Sequence, residues 1–417
     1  MRNEGLALII IEPIFFGEPY LKYCRELGVI SIILKREDIP NLQPDYSMAD
    51  YIVQCDVTKT EIVVTELSRF LHDHKFDQLG IAPGNDYAVA LSAELASIFQ
   101  LKSISLESAY CTRNKYYARN KIAKYSQELN PKYFFYYYKE VNANFKILIN
   151  YPVIVKPLDM TSSINTRYIE TEEDFHEHIA LMKKDTNNFG YPIQNGFLLE
   201  EYIGGNEYSF DGMMANGECV FSCFTEKYKS NLPYFIEWQH TVPAGIEEPL
   251  DDSIRRKLVG LLLHMGIIDG PFHLEFFLNG TQLKIVEMAS RMGGGSITKL
   301  IKLSYNIDLH LLNIINCLDM PLHKYLNSKF TKHARMRYLD NLTGRVASIH
   351  MLNTEDVKKH IQEYIVQGEI GEILNKPTSN LDRKFGFILS ADSRQELDAV
   401  TEKVINKNFQ VTTVQID

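Results

Sequence analysis

Apolar bursts of strand length alternate with helically spaced segments over the first hundred residues. "LALIII" (6–11), "VISIIL" (29–34), "YIVQCD" (51–56) and "LGIAP" (79–83) are the bursts. Between them "GEPYLKYCRELG" (17–28), "TEIVVTELSRFLHDH" (60–74) and "DYAVALSAELASIF" (86–99) repeat apolar residues at the helical period. This is a βαβ series and predicts a parallel α/β domain over 1–105. The segment after the first burst, "EPIFFGEPY", has one glycine and is no dinucleotide fingerprint.

The stretch 106–130 reads as one helix stopped at Asn130 and Pro131. Strands are expected at "PKYFFYYYKE" (131–140), where both faces are covered, and at "YPVIVKPL" (151–158) and "GFLLEEYI" (196–203). A helix over 171–185 opens with the capping pair Thr171 and Asp174, which makes 106–205 a small α+β module. From 206 to 333 the pattern turns antiparallel. Asn216-Gly217 and Asn279-Gly280 each sit between alternating strands, the strongest short hairpin signal, and a helix over 251–266 lies between the two hairpins. Helices follow at 296–304 and 308–318. The tail, 334–417, reads as a further α+β unit: strand 344–352, helix 354–366, strand 384–392, helix 393–408.

Four domains suit 417 residues, and 45% hydrophobic with 23% charged residues is ordinary for a globular chain. A net charge of −9 argues against a nucleic-acid footprint. The opening apolar run is only six residues long, lacks a signal-peptide cleavage pattern, and no segment reaches membrane-span length, so a cytoplasmic protein without a membrane partner is expected. Cys24, Cys55, Cys111, Cys219, Cys223 and Cys317 have no metal-ligand spacing and read as reduced thiols.

The candidate chemistry gathers in "HLEFFLNGTQLKIVEMASRMGGGS" (273–296). Glu275 and Glu287 lie on the two arms of one hairpin and can face each other, which is unfavourable without a cation between them. Hard carboxylate oxygens at such a position suit Mg²⁺. A solvated face is the plainer alternative for two hairpin glutamates, and three glycines after a strand also raise the question of a phosphate cradle.

The blocks "YPVIVKP", "FLLEEYIGGNEYSFDG" and "GPFHLEFF…LKIVEMASRMGGG", in that order over roughly 110–300, resemble the ATP-grasp ligases. "FTEKYKSNLPYFIEWQHTVPA" and the tail resemble the L-amino acid (carboxylate–amine) ligase branch. The implied fold is an N-terminal parallel α/β domain, a two-lobed ATP-binding core (106–205 and 206–333) and a C-terminal α+β domain. The implied reaction joins a carboxylate and an amine, amino acids or similar acids, through an acyl phosphate, with release of ADP and phosphate. ATP and Mg²⁺ are the implied cofactors, with Mn²⁺ as a substitute ion, and a homodimer acting on small molecules is the implied form.

The resemblance also implies roles. Lys156 and Lys115 contact phosphates, with Arg113, Arg119 and Lys121 open as alternatives to Lys115. The backbone of Glu201 and Ile203 meets the purine edge in the hinge Glu200–Glu201–Tyr202–Ile203, Glu200 lies beside the purine amine, and Glu207 takes the ribose hydroxyls. Ser162 and Ser163 belong to the phosphate lid, Lys227 to the γ phosphate, Glu275 and Glu287 to Mg²⁺, and Arg291 to the acyl phosphate or substrate carboxylate. Glu237, His240, His273, Gly293 and Gly294 are the implied substrate-side residues, although a lone histidine is as readily structural. Trp238 reads equally as core or pocket wall.

Two positions depart from the family pattern. The lid "LDMTSSINTRY" (158–168) holds no glycine, with Ser162 and Asn165 at the expected glycine positions, and Ala289 stands where many relatives have a metal-binding asparagine. They keep in view an ATP-binding protein that does not turn over; within the enzyme class the rival reading is a carboxylase-like enzyme using bicarbonate.

Overall fold

The four apolar bursts of the first hundred residues lie side by side in the computed structural model, which describes residues 5–415 apart from 41, 143, 231, 248, 249, 341 and 353. Strand Leu6–Ile11 pairs in parallel with Ile30–Lys35 on one side and Gln78–Pro83 on the other, and Tyr51–Gln54 forms the edge. Ala7 to Ile11 are all fully buried, because helices cover both faces of a parallel sheet. That explains an unbroken apolar run where a half-buried strand alternates. The helices are Pro19–Leu27, Thr60–Asp73 and Ala88–Phe99, as the periodicity predicts. Gly28 ends the first at φ 69°, a left-handed cap that glycine adopts without a Cβ penalty.

The expected single helix over 106–130 is broken. Leu106–Arg113 and Lys115–Tyr125 are separate helices, since the Asn114 side chain accepts from the Tyr117 N–H and starts a new N-terminus. Helical periodicity passes through such a joint unchanged, so the break is invisible to a moment but visible to a capping residue. A short 3₁₀ turn follows at Gln127–Leu129.

The next sheet orders its strands Tyr133–Tyr136, Phe197–Glu201, Val153–Pro157, Arg167–Ile169, all antiparallel. Helix Glu172–Met182 packs on it and opens at Thr171, whose hydroxyl accepts from the Asp174 N–H as expected. The aromatic strand is an edge with half-buried residues and an exposed Tyr137 beyond it, so its two faces are only partly covered. A two-stranded hairpin, Asn187–Asn188 with Tyr191–Pro192, leaves this lobe for the carboxyl ends of the N-terminal strands. There Tyr191 Oη donates to Glu12 Oε2 at 2.7 Å, while Arg36 grips Glu12 through Nε and Nη2, each at 2.8 Å. The Arg36 Nη2 also donates to Phe189 O.

Strands Asn206–Ala215, Glu218–Lys229, Gly270–Asn279 and Gln282–Ala289 form the two expected hairpins within an eight-stranded sheet. The tail does not stand apart from it. Strands His333–Tyr338, Phe385–Ala391 and Ile361–Val366 continue the same sheet beyond Glu237–Val242. The tail's other strands, Gly344–Met351, Ile373–Leu374 and Phe409–Val414, make a small sheet over its own apolar cluster. The helix expected over 354–366 is a correction: only Glu355–Lys358 is helical, and Ile361–Val366 is a strand. The β-prone "YIV" can pair with Phe385–Ala391, and that long-range pairing overrides a local helical period.

Helices Ile297–Tyr305 and Leu309–Cys317 lie between the large sheet and the N-terminal domain. One apolar cluster runs from Leu8, Ile10 and Tyr20 through Leu300, Leu312 and Ile314 to Met213 and Met336. Asn313 Nδ2 donates to Tyr20 Oη at 2.6 Å, and His310 Nε2 lies 2.7 Å from Phe16 O. This shared core joins the N-terminal sheet to Met292 and Ile297, which flank the glycine triplet.

The Glu12–Arg36 pair is a fully buried carboxylate with one main cationic partner. We expect Arg36→Met to cost about 3 to 5 kcal/mol, because it leaves an uncompensated buried charge. Chemical denaturation of the full chain measures this, and a loss below about 1 kcal/mol contradicts it.

Candidate functional site

Glu275 and Glu287 are direct cross-strand partners. The turn joining their strands holds Gly280 at φ 59°, and Asn279 pairs with Gln282, so the two turn residues are Gly280 and Thr281. A register irregularity follows Glu275. Such a bulge turns the strand at the position where the carboxylate must be aimed. Ala289 pairs with His273 across the same ladder and offers no side-chain oxygen to a metal.

A cavity opens in front of this hairpin, between the two lobes. Lys115, Arg119, Lys156, Glu200, Tyr202, Ile203, Lys229, Glu275 and Glu287 line it, with Ile154, Phe277 and Ile285 as apolar walls. Lys115 Nζ bridges Glu287 Oε1 (3.1 Å) and Met160 O (2.9 Å), which ties the start of its helix to the loop after Lys156. Lys156 Nζ is 2.8 Å from Glu200 Oε2. Burial lowers the Lys156 pKa, and Glu200 opposes that effect.

Glu200 is engaged otherwise than expected. Arg119 reaches both its oxygens, Nε to Oε1 at 2.6 Å and Nη2 to Oε1's neighbour Oε2 at 3.1 Å, and also donates to Ile285 O and Val286 O. Burial alone would raise the Glu200 pKa, but Arg119 and Lys156 outweigh it and hold it at about 2. The carboxylate is therefore an anchor that aims two cations into the cavity. Glu201 likewise has its N–H committed to Lys132 O, and its side chain accepts from Lys132 N. Among the described residues the Ile203 N–H has no acceptor, and Tyr202 is partly exposed beside it.

Behind the hairpin the expected residues form one buried network. Lys227 Nζ lies 2.7 Å from Glu237 Oε1 and also bonds Glu275 Oε1. Burial lowers its pKa, but Glu237, Glu275 and Glu207 outweigh that and raise it, so Lys227 is a fixed cation. His240 Nε2 meets Glu237 Oε2 at 2.9 Å and its Nδ1 meets Gly295 O at 3.0 Å. His273 lies between Asp211 Oδ1 (2.6 Å) and Glu275 Oε1 (3.1 Å). Burial disfavours its charged form, yet Asp211 raises its pKa to about 9, and Ser209 and Thr225 hold Asp211 from the other side. Glu237, His240 and His273 thus support the carboxylate wall from behind, where they are buried.

Carboxylate oxygens of Glu207, Glu237 and Glu275 come within 4.8 Å of one another. Lys227 and Lys229 supply the positive charge there; Lys229 Nζ is 2.5 Å from Glu207 Oε2. Neither Glu207 oxygen accepts a well-aligned hydrogen bond, and burial raises its pKa. With Lys229 as its close ion partner and no aligned hydrogen bond, this buried carboxylate keeps acceptor capacity that suits hydroxyl groups such as those of a sugar. In front, Glu275 and Glu287 present hard carboxylate oxygens of the kind that suits Mg²⁺, and Lys115 and Lys156 bring two ammonium groups to the same cavity.

The glycine triplet has a divided role. A Cβ on Gly293 would lie 2.8 Å from Asp211 Oδ1 and 3.0 Å from His273 Nδ1, and one on Gly295, at φ 58°, would lie 2.6 Å from His240 Cε1. Only Gly294 faces open space. Two of the glycines therefore let the chain pass the buried histidines, and Gly294 alone is open to a ligand. Arg291 emerges beside them with Nε 2.7 Å from Asp86 Oδ1 and Nη1 on its own chain at Met292 O.

In the glycine-free lid, Ser162, Ser163 and Asn165 all stand at φ 57°. Left-handed backbone is strained for serine and milder for asparagine. Its supports are Asn165 Nδ2 on Asp185, His178 Nε2 at Asn165 O, and the Asn380 N–H on Ser162 O. Ser163 lines the cavity and Ser162 does not. Trp238 lines a separate cleft with Leu374, Arg383 and Phe385.

Local patterns in the sequence do not single out Asp86, Asp211, Lys229, Asn380 or Arg383. The last two brace Glu237 from the tail, Asn380 Oδ1 accepting from Glu237 N at 2.8 Å and Arg383 Nη1 donating to Glu237 O at 2.5 Å. An Asp three residues past the end of strand Gln78–Pro83 is the one available signal for Asp86, since ligands of open α/β sheets gather at the strands' carboxyl ends.

The ATP-grasp domain profile matches residues 149–299. The human carnosine synthase 1 is 24% identical over 170 residues, which are 39% of this chain and 21% of that protein, so the chain spans about a fifth of that relative's length. The L-arginine-specific L-amino acid ligase of Bacillus subtilis is 25% identical over 266 residues, 62% of each chain. In fold, the chain superposes on the L-amino acid ligase of Bacillus licheniformis with a TM-score of 0.79 at 18% identity, covering 98% of this chain and 99% of that one. Among the described residues no helix is long and apolar enough to cross a membrane.

Two outcomes test this geometry. Glu200's pKa is lowered from 4.5 to about 2, so its stabilisation is complete above pH 4.5 and is lost as pH falls through 2. The stability gap between wild type and Glu200→Gln should be full at neutral pH and narrow below 4.5; a gap constant down to pH 3 contradicts the ion-pair account. Gly293→Ala and Gly295→Ala should each cost about 1 to 3 kcal/mol by overpacking, whereas Gly294→Ala should leave the melting temperature unchanged. Equal losses at all three positions contradict the division of roles.

Proposed function

We propose that this chain, whose residues 149–299 match the ATP-grasp domain profile, has the activity of an ATP-dependent carboxylate–amine ligase acting on amino acids or amino-acid-like acids. The observation that carries this reading is the opposed pair Glu275 and Glu287 facing Lys115 and Lys156 across one cavity. Similarity to amino-acid and carnosine ligases supports the choice of substrates.

The substrate carboxylate attacks the γ phosphorus of ATP, forming an acyl phosphate as the bond to ADP breaks. The amine then attacks the acyl carbon, an amide bond forms, phosphate leaves, and the amine's proton is released. Phosphoryl transfer of this kind needs charge neutralisation and alignment more than covalent help. Lys115 and Lys156 meet phosphate oxygens from the small lobe, and Lys227 supplies a fixed charge behind Glu275. Glu275 and Glu287 would hold Mg²⁺, which supplies charge neutralisation at the phosphates. The Ile203 N–H and Glu207 fit a purine edge and a ribose. Arg291 offers its Nη2, which has no acceptor among the described residues, to the reacting carboxylate or acyl phosphate. Asn380 and Arg383 hold Glu237, and through it Lys227, in place.

The setting we propose is cytoplasmic, in keeping with six free, largely buried cysteines.

Incubation with ATP, Mg²⁺ and a matrix of amino acids tests the reading. Phosphate release that depends on a pair of amino acids is the expected result, and release driven by bicarbonate without an amine would transfer the assignment to a carboxylase. Glu287→Gln should keep the fold and lose at least about 100-fold in Mg²⁺-dependent turnover, while Cys219→Ser leaves activity near wild type. Wild-type rates in Glu287→Gln contradict the metal assignment.

A further inference from the structure

Asp86 is not a residue of the ATP-binding lobes. It sits just past strand Gln78–Pro83, at the carboxyl end of the N-terminal sheet, in a loop braced on three sides. Gly84 N donates to Ile11 O at 2.9 Å, Asn85 Nδ2 to Glu12 O at 3.0 Å, and Ala88 N to Asn85 Oδ1 at 3.1 Å. A Cβ at Gly84 would lie 2.5 Å from Ile11 O and from Pro13, so the loop is also tightly packed.

Two guanidiniums from different parts of the chain approach one oxygen of Asp86. Arg291 Nε lies 2.7 Å from Oδ1 and Arg113 Nη1 lies 4.0 Å from it. Each arginine is fixed again at its far side. Arg291 Nη1 donates to Met292 O and its guanidinium lies over Phe16, 5.5 Å from the ring centre. Arg113 Nη2 donates to Asp159 O at 2.6 Å and its guanidinium lies over Tyr87 at 4.8 Å. Among the described residues Arg291 Nη2 and Arg113 Nε have no acceptor, yet neither is sealed from solvent. Burial disfavours the ionised form of Asp86, but Arg291 and then Arg113 outweigh it, so the carboxylate is charged. Around that shared carboxylate the two guanidiniums keep free, directed donors, while Glu287 and Glu275 also act on Arg291 and Asp159 acts on Arg113.

We infer that Asp86 is a positioning residue that gathers Arg291 and Arg113 into a single anion clamp, so that the phosphoryl group and the acid it activates are held at the seam between the N-terminal sheet and the large lobe. The inference rests on the ligase reading and extends it to two residues outside the opposed-carboxylate cavity. Without Asp86 the guanidiniums repel each other, Arg291 loses the acceptor of its Nε, and Arg113 loses the carboxylate that draws it toward Arg291.

The sign of one substitution separates this role from bulk electrostatics. A carboxylate that merely lowers the local potential opposes anion binding, so its removal would tighten an anion; a positioning carboxylate does the reverse. Inorganic phosphate is titrated calorimetrically into the full chain saturated with Mg·ADP. Asp86→Asn is expected to weaken phosphate about tenfold with Mg·ADP affinity unchanged, and Asp86→Glu to recover part of the loss. Arg113→Gln, which leaves Asp86 paired with Arg291, should weaken phosphate several-fold and serves as the decisive variant if Asp86→Asn does not fold. Phosphate bound equally or more tightly by Asp86→Asn, or equally by Arg113→Gln, overturns the clamp. Wild type that binds Mg·ADP but no phosphate also overturns it and leaves the ligase reading intact, whereas wild type that binds no Mg·ADP removes both.

Discussion

Two carboxylates stand directly opposite each other across a β-hairpin, and much of the site is arranged around that repulsion. Like charges about 5 Å apart cost about 3 kcal/mol at an effective dielectric near 20, so the pair Glu275 and Glu287 needs cations nearby. The protein supplies them from opposite sides. Lys227 and the imidazolium of His273 stand against Glu275, and Lys115 reaches Glu287 from the other lobe. Lys227 is held in turn by Glu237, Glu237 by His240 and the tail residues Asn380 and Arg383, and His273 by Asp211. The glycine at 293 leaves room for that last contact and the glycine at 295 for His240. An oxygen-rich face thus points into the cavity while its charge is balanced from behind, which is the arrangement a hard cation and phosphates require.

The same logic of paired charge joins the domains. Glu200 fixes Lys156 and Arg119 within the small lobe, Glu12 and Arg36 bind the small-lobe hairpin to the N-terminal sheet, and Asp86 meets Arg291 of the large lobe. Beneath them the shared apolar cluster around Leu312 and Ile314 sets the distance between the two sheets. Buried pairs of this kind contribute little net stability, but they are costly to break and so hold geometry.

What was legible in the sequence was whatever local pattern decides. The parallel sheet followed from unbroken apolar runs, the hairpins from Asn-Gly turns, and the opposition of Glu275 and Glu287 from their places on two arms of one hairpin. The resemblance carried in three blocks led to the cavity-lining Lys115, Lys156, Tyr202 and Ile203. What was hidden depends on contacts between distant residues. Ile361–Val366 became a strand because Phe385–Ala391 offered an edge, and Glu200 became an anchor because Arg119, 81 positions away, reaches it. The lid shows the middle case: serines at glycine positions are visible in the sequence, but that Ser162 and Ser163 both hold φ 57° emerges only where Asn380, Asp185 and His178 support the loop.

In the proposed ligase reading, one hairpin presents two opposed carboxylates to a metal–nucleotide complex whose phosphates meet Lys115 and Lys156. A crystal structure of the full chain with Mg²⁺ and a non-hydrolysable ATP analogue tests it most directly. The expected result is a cation liganded by both Glu275 and Glu287, with the nucleotide's base beside Ile203 and its ribose at Glu207. A nucleotide bound elsewhere, or a metal that touches neither carboxylate, would contradict it.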